Sequence, residues 1–295
     1  MSIAISGASG QLGRRVAELL LDRVDPSELT LVSRSPDKLE DAATHGAQTR
    51  KGDFDDPAGL AEAFRGAERL LLISVDPVSK LRQHRNAIEA ARSAGVQFVA
   101  YTSFVNPSEH NPAGIAGEHR ETERMLRESG MEWAFLRNTA YAEMRVGDAQ
   151  AALALGSLVH NTGDGRVAYV SRDDCAAAAA TVVAGGDHHG EIYDVTGPKA
   201  LGAGELASLY SELGGREVTP VAVDDGPLIE GMVQGGVPRE IAELLASFEA
   251  AAREGHMDTV SSAVENLTGR APRPLREILA RQRDRLTGAA GSAAA

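Results

Sequence analysis

Three glycines stand near the start of the chain at intervals of three, in Gly7-Ala8-Ser9-Gly10-Gln11-Leu12-Gly13. The apolar run Ile3-Ala4-Ile5-Ser6 precedes them, too short for a helix and suited to a buried strand. Leu12, Val16, Leu19 and Leu20 follow at helical spacing. A strand, a glycine turn and a helix in that order can cradle a phosphate. Gly7 can take a backbone angle that a side chain forbids, Gly10 has no Cβ to hold off a pyrophosphate, and Gly13 lets the helix lie close on the sheet. The free N–H groups and positive end of the helix then face the phosphates. Gly7, Ala8, Ser9, Gly10, Gln11 and Leu12 are therefore expected to bind a dinucleotide. The spacing is G-x-x-G-x-x-G, looser than the commoner G-x-G-x-x-G.

The second chemical position is the end of the next strand, Leu29-Thr30-Leu31-Val32, which runs into Ser33-Arg34-Ser35-Pro36. In a dinucleotide fold this strand end meets the adenosine ribose. An Asp or Glu there would bind the 2′-hydroxyl and repel a 2′-phosphate. Arg34 stands there instead, and a guanidinium pairs well with a phosphate. NADP(H) is expected over NAD(H); the alternative is a solvated arginine in a loop.

A third position is defined by a missing pair. Short-chain dehydrogenases normally carry a Tyr and, four residues later, a Lys that lowers the phenol's pKa so that it can protonate an alkoxide. Four residues after Tyr101, Tyr141, Tyr169, Tyr193 and Tyr210 stand Val105, Arg145, Asp173, Gly197 and Gly214. Alcohol dehydrogenation by that route is not expected. The nearest substitutes are His119, on the fifth helix, and Tyr141. His119 could protonate a product or orient a substrate, or be a partly buried helix histidine. Tyr141 could stack near a nicotinamide or belong to the core.

Elements that would position these groups alternate along the chain. Strands are expected at Ala47–Lys51, Arg69–Ser74, Phe98–Ser103 and Trp133–Arg137, with helices at Asp37–His45, Leu60–Phe64, Ser79–Ala94 and Glu118–Glu128. This is the rhythm of an α/β fold, a doubly wound parallel sheet of the Rossmann type. Asp53 and Phe54 would fall near the adenine, and Ser74 and Val75 at the strand end on the cofactor side. A loop with Pro107, Pro112 and Gly114 could fold over the site. After Asn138 the rhythm loosens. Helices are expected at Ala149–Leu155 and Asp173–Val183, the latter capped by Ser171 or Asp173, with Asp174 as a solvated neighbour. Strands are expected at Arg166–Val170, Ile192–Val195 and Val218–Val223. The expected organisation is a dinucleotide-binding domain over 1–138, rejoined by a strand near 191–195. A smaller C-terminal α/β substrate lobe over 139–287 and a disordered tail over 288–295 complete it.

The chain of 295 residues is long enough for a large core. Its net charge of −12 argues against binding nucleic acid. A single cysteine, Cys175, excludes an intrachain disulfide and fits a reducing cytoplasm; it reads as filler in an Ala-rich helix rather than as a nucleophile. The start has no leader pattern and no apolar run reaches membrane-spanning length, so a membrane role is not expected. The adjacent His188 and His189 would point apart, against a metal site.

The ordered set 7–13, 33–36, Leu-Leu-Ile-Ser (71–74), Gln83-His84-Arg85-Asn86, Ala-Tyr-Thr-Ser (100–103), His119 to Glu123 and Leu-Arg-Asn with Tyr141 (136–141) resembles the NmrA-like atypical short-chain dehydrogenases. The resemblance reaches through Thr268-Gly269-Arg270 and is greatest to the quinone- and triphenylmethane-reducing members. It implies NADP(H) along Gly7 to Leu12, Arg34, Asp53, Phe54, Ser74, Val75, Tyr101, Thr102, Ser103, Arg137, Asn138 and Tyr141, with neither flavin nor metal. It also implies a quinone or small aromatic acceptor in the cleft between the lobes, and leaves a homodimer possible. Such an activity accounts for the missing dyad. A quinone or cationic dye spreads or cancels the incoming charge, so water can supply the proton and catalysis can rest on alignment. Two further expectations stay open: an NADP(H)-binding redox sensor acting through a protein partner, and an enzyme of specialised metabolism with a larger aromatic substrate.

Overall fold

Seven strands run parallel in one sheet in the order β3-β2-β1-β4-β5-β6-β8. They are β1 (Ile3–Ser6), β2 (Leu29–Ser33), β3 (Gln48–Lys51), β4 (Arg69–Leu72), β5 (Phe98–Phe104), β6 (Glu132–Asn138) and, after β7 (Ser157–His160), β8 (Ile192–Val195). The structure, a computed structural model, describes residues 1–74 and 80–286. Val75 and the tail from 288 lie outside that range.

The helices are α1 (Gln11–Leu21), α2 (Glu40–Thr44), α3 (Pro57–Phe64), α4 (Lys80–Ser93), α5 (Ala116–Glu128), α6 (Arg145–Leu155) and α7 (Arg172–Ala184). Next come α8 (Ala203–Gly214), β9 (Thr219–Ala222), α9 (Asp225–Gln234), α10 (Arg239–Arg253), α11 (Ala263–Thr268), α12 (Leu275–Ala280) and α13 (Arg283–Leu286). Helices α1 and α7 cover one sheet face through a core that includes Ile5, Val16, Leu31, Ala100, Leu136 and Val182. Helices α3, α4 and α5 cover the other through Phe64, Leu70, Leu72, Tyr101 and Phe135. A third core, with Leu153, Tyr169, Tyr210 and Leu279, lies among α6, α8, α10 and α12. A sheet buried on both faces needs strands that are apolar throughout, and every residue of β1, β2 and β5 is buried. Helix α7 falls after residue 138, yet it packs on α1 and the sheet.

Three expectations about elements change. Arg166–Val170 is extended but is no strand: Val167, Ala168 and Val170 donate to Leu201, Met257 and Ala140, so their partners come from three different segments. The second lobe's two-stranded sheet instead pairs β9 with β7, which follows α6 directly after the left-handed cap Gly156. The second helix divides into a 3-10 turn, Pro36–Leu39, and α2.

The start of α7 also differs. Ser171 is its cap, accepting from the Asp174 N–H at 3.0 Å. Asp174 is not solvated: it is 0% exposed, 2.5 Å from Arg270, and accepts from the Arg273 N–H at 2.9 Å. Its neighbour Asp173 pairs with Arg15 of α1 at 3.1 Å and with Arg273 at 2.9 Å. The partners lie about a hundred residues further on or far upstream, beyond any local pattern. Cys175 is buried, and burial pushes its thiol up.

Candidate functional site

The glycine turn has the form its spacing requires. Gly7 takes φ +66°, the left-handed region, and the Gly10 N–H bonds back to the Gly7 carbonyl at 3.0 Å. A Cβ on Gly13 would stand 2.4 Å from the Gly7 oxygen and 2.8 Å from the Ala8 Cα, so helix and turn touch backbone to backbone. Helix α1 begins at Gly10 with no side-chain cap and no acid in its first turn. Its opening N–H groups are thus left for an anion from outside the chain. Gly7, Gly10 and Gln11 are exposed, whereas Ala8 and Leu12 turn their side chains into the core.

The turn is tied to the end of β2. Ser9 Oγ and Ser33 Oγ lie 2.7 Å apart, the Ser35 N–H donates to Ser33 Oγ at 3.0 Å, and Arg14 Nε donates to the Ser9 carbonyl at 3.0 Å. Arg34 follows Ser33 and is exposed. An uncapped helix end for a pyrophosphate and an exposed arginine at the end of β2 for a 2′-phosphate fit NADP(H).

The order of the sheet reverses between β1 and β4, the crevice where open α/β sheets bind ligands. Ser6 of β1 bridges it, donating to the Leu71 carbonyl at 3.2 Å and accepting from the Ile73 N–H at 3.0 Å. Ser74 and Thr102 join the next two strand ends, with the Ser74 N–H on Thr102 Oγ1 at 2.9 Å. Asp53 orders its own turn, accepting from the Asp55 N–H at 3.0 Å. The Phe54 ring lies in the core beneath α3, only 8% exposed, and offers no face to an adenine.

Three other expected contacts turn away from the edge. Tyr101, Ser103 and Arg137 point toward α5, because alternate residues of a strand share a face. Tyr101 is 0% exposed; its hydroxyl meets His119 Nδ1 at 2.8 Å, and burial pushes the phenol far up. Ser103 donates to Glu123 at 2.7 Å, and Arg137 grips the same carboxylate from Nε and Nη2 at 2.9 and 2.7 Å. Their side chains are committed inside the protein rather than to a dinucleotide. His119 is itself buried, between Tyr101 and Phe104. Glu123 was not singled out by the sequence; its spacing of four from His119 was the available signal, since both then face β5.

Asn138 and Tyr141 remain at the carboxyl end of β6. Asn138 is 5% exposed; its Nδ2 reaches Tyr141 Oη at 3.5 Å, while its Oδ1 is buried with no partner among the described residues. Tyr141 is half-buried, with the Arg172 guanidinium 5.0 Å over its ring, and burial pushes its phenol up. Arg145 does not activate it. That side chain turns into the second lobe, over Tyr169, and pairs with Asp148 at 2.6 Å. The two adjacent histidines diverge, His188 to Tyr193 and His189 to Trp133.

A Rossmann sheet with this turn defines a nicotinamide-dinucleotide-binding protein, and residues 7–185 match the NAD(P)H-binding family. The chain belongs to that family, in its NmrA-like branch. It is 38% identical to quinone oxidoreductase 2 of Escherichia coli over 276 residues, 93% of this chain and 96% of that protein. The crystal structure of the E. coli NADPH-dependent quinone oxidoreductase complexed with NADPH superposes with a TM-score of 0.91 at 37% identity, covering 95% of this chain and 99% of that one. Citrobacter triphenylmethane reductase complexed with NADP(H) gives 0.89 at 33% identity, covering 96% and 100%.

Proposed function

We propose that this protein is an NADPH-dependent reductase that passes hydride to a quinone or a similarly flat, electrophilic acceptor. The observation that carries the reading is a contrast along one sheet edge. The turn and Arg34 present open donors for a phosphorylated dinucleotide, while the acid-base side chains of α5 are enclosed: His119 by Tyr101, and Glu123 by Ser103 and Arg137.

Hydride is what NADPH brings when bound. The turn would hold the pyrophosphate and Arg34 the 2′-phosphate, and Ser74, Thr102, Asn138 and Tyr141 would surround the far half of the dinucleotide. The acceptor enters the cleft between the sheet edge and the smaller lobe. With His119 and Glu123 enclosed, the favoured acceptor is one whose reduced form is a weak base. A simple ketone, which becomes a strongly basic alkoxide, is disfavoured.

Purified protein mixed with NADPH and either menadione or crystal violet should oxidise NADPH well above the uncatalysed rate, and should leave acetone untouched. Failure with a panel of quinones and dyes removes the proposal. Arg34→Ala should weaken NADPH by about 1–3 kcal/mol and leave NADH nearly unchanged. The redox-sensor alternative has no observation in its favour. Among the described residues no helix is long and apolar enough to cross a membrane. A cytoplasmic location, with a small molecule as partner, fits the single buried cysteine and the acidic balance of 42 Asp and Glu against 30 Lys and Arg.

A further inference from the structure

A buried acceptor without a donor is unfavourable, and among the described residues Asn138 Oδ1, at the carboxyl end of β6, is one. The residue is 5% exposed and its backbone is held from three directions. Its carbonyl accepts from the Val105 N–H at 3.0 Å, and it stands in register with Phe104 of β5 and Val195 of β8. One residue earlier, the Glu123 carboxylate bridges Ser103 and Arg137, themselves a register pair. The amide of Asn138 is thus presented from a rigid platform, with its Nδ2 turned to Tyr141 and its Oδ1 turned away.

We propose that Asn138 Oδ1 accepts a hydrogen bond from the amino group of the nicotinamide carboxamide. Asn138 is then a positioning residue for the ring that carries the hydride, with its Nδ2 on Tyr141 Oη. The inference rests on the NADPH reading and adds one atom-to-atom contact to it. The chemistry selects the partner. Oδ1 can only accept; the nicotinamide end of the dinucleotide carries a planar N–H₂ donor, and the adenine, pyrophosphate and 2′-phosphate belong to the opposite half of the sheet. A reversed amide would present N–H instead and would seek the carboxamide oxygen.

The test compares NADP⁺ with its 3-acetylpyridine analogue, which keeps the carbonyl oxygen and replaces the amino group by methyl. Binding is measured by calorimetry, without turnover. Wild type should bind NADP⁺ about tenfold more tightly than the analogue, the equivalent of one hydrogen bond to a buried acceptor. Asn138→Leu, similar in shape without polar atoms, should bring the two within about twofold. Adenosine 2′,5′-bisphosphate, which has no nicotinamide, should bind both proteins equally. Equal wild-type affinity for NADP⁺ and the analogue overturns the proposal, as does discrimination that survives in Asn138→Leu. A parallel loss of adenosine 2′,5′-bisphosphate binding in the variant also overturns it, since the residue would then act on the whole domain. Absence of NADP⁺ binding by wild type removes the cofactor reading, and this contact with it.

Discussion

Glu123 of α5 and Arg137 of β6 are joined by two parallel hydrogen bonds, 2.9 and 2.7 Å long, around a carboxylate that is 1% exposed. Arg127 adds a third guanidinium contact at 3.1 Å and Ser103 a hydroxyl at 2.7 Å. Every lone-pair direction of the carboxylate is therefore occupied, the condition under which a buried charge is tolerated. Helix α5 thus turns Glu123 inward to hold β5 and β6 together.

Removing one partner of such a cluster strands the others. Glu123→Ala should lower unfolding free energy by about 3–5 kcal/mol, read from urea denaturation. A loss below about 1 kcal/mol would show that the cluster is solvated in solution.

Gly13 has no room for a side chain, and the atoms in the way are backbone. Gly13→Ala should force α1 off the turn and weaken NADPH by more than about tenfold. Gly117, exposed on α5 with open space around it, supplies the control. Gly117→Ala should leave binding unchanged and stabilise by about 0.5–1 kcal/mol. Fluorescence titration of NADPH against both variants separates them.

His119→Gln decides between the two readings of that histidine. A helix histidine predicts kcat within about threefold of wild type and the same pH profile from pH 5.5 to 8. A general acid would be worth about a hundredfold or more, with loss of one limb of the profile.

Protonation of His160, which is buried, and of His188, which is half-buried, should contribute to the acid limb of stability. His160 is 7% exposed, bonded through Nδ1 to Thr162, and burial holds its pKa below the ordinary value. His188 is lowered by burial first and by Arg69 second. The folded protein keeps both neutral at a pH where the unfolded chain takes up protons. Their stabilising contribution is complete above about pH 7 and declines as pH falls through about 6.5 toward the depressed folded values. The decline is at most about 1.4 kcal/mol per pH unit for each group. Urea midpoints at pH 7.5 and 5.5 measure it, and His160→Gln should flatten the slope.

Much of the fold is legible from local pattern. The glycine spacing announces the turn, because only glycine takes the angle of Gly7 and only glycine lets Gly13 touch backbone. Unbroken apolar runs announce β1, β4 and β5, and Asp56 before Pro57 announces the start of α3, where it accepts from the Gly59 N–H. Arg34 at the end of β2 is equally local. The extended stretch Arg166–Val170 shows the limit: its residue types suit a strand, but whether a strand forms depends on a partner, and these partners come from three different segments.

The site divides the same way. Residue type and spacing alone determined a glycine turn ahead of an uncapped helix, an exposed arginine at the end of β2 and the absence of Tyr–Lys spacing. Tertiary structure decided which way side chains face. Tyr101, Ser103 and Arg137 lie in the right strands but point at α5, Tyr141 and Arg145 part company, and Asp174 finds Arg270 across 96 residues. Backbone conformation follows from a few neighbouring residues, whereas burial and pairing depend on segments brought together only by the finished fold.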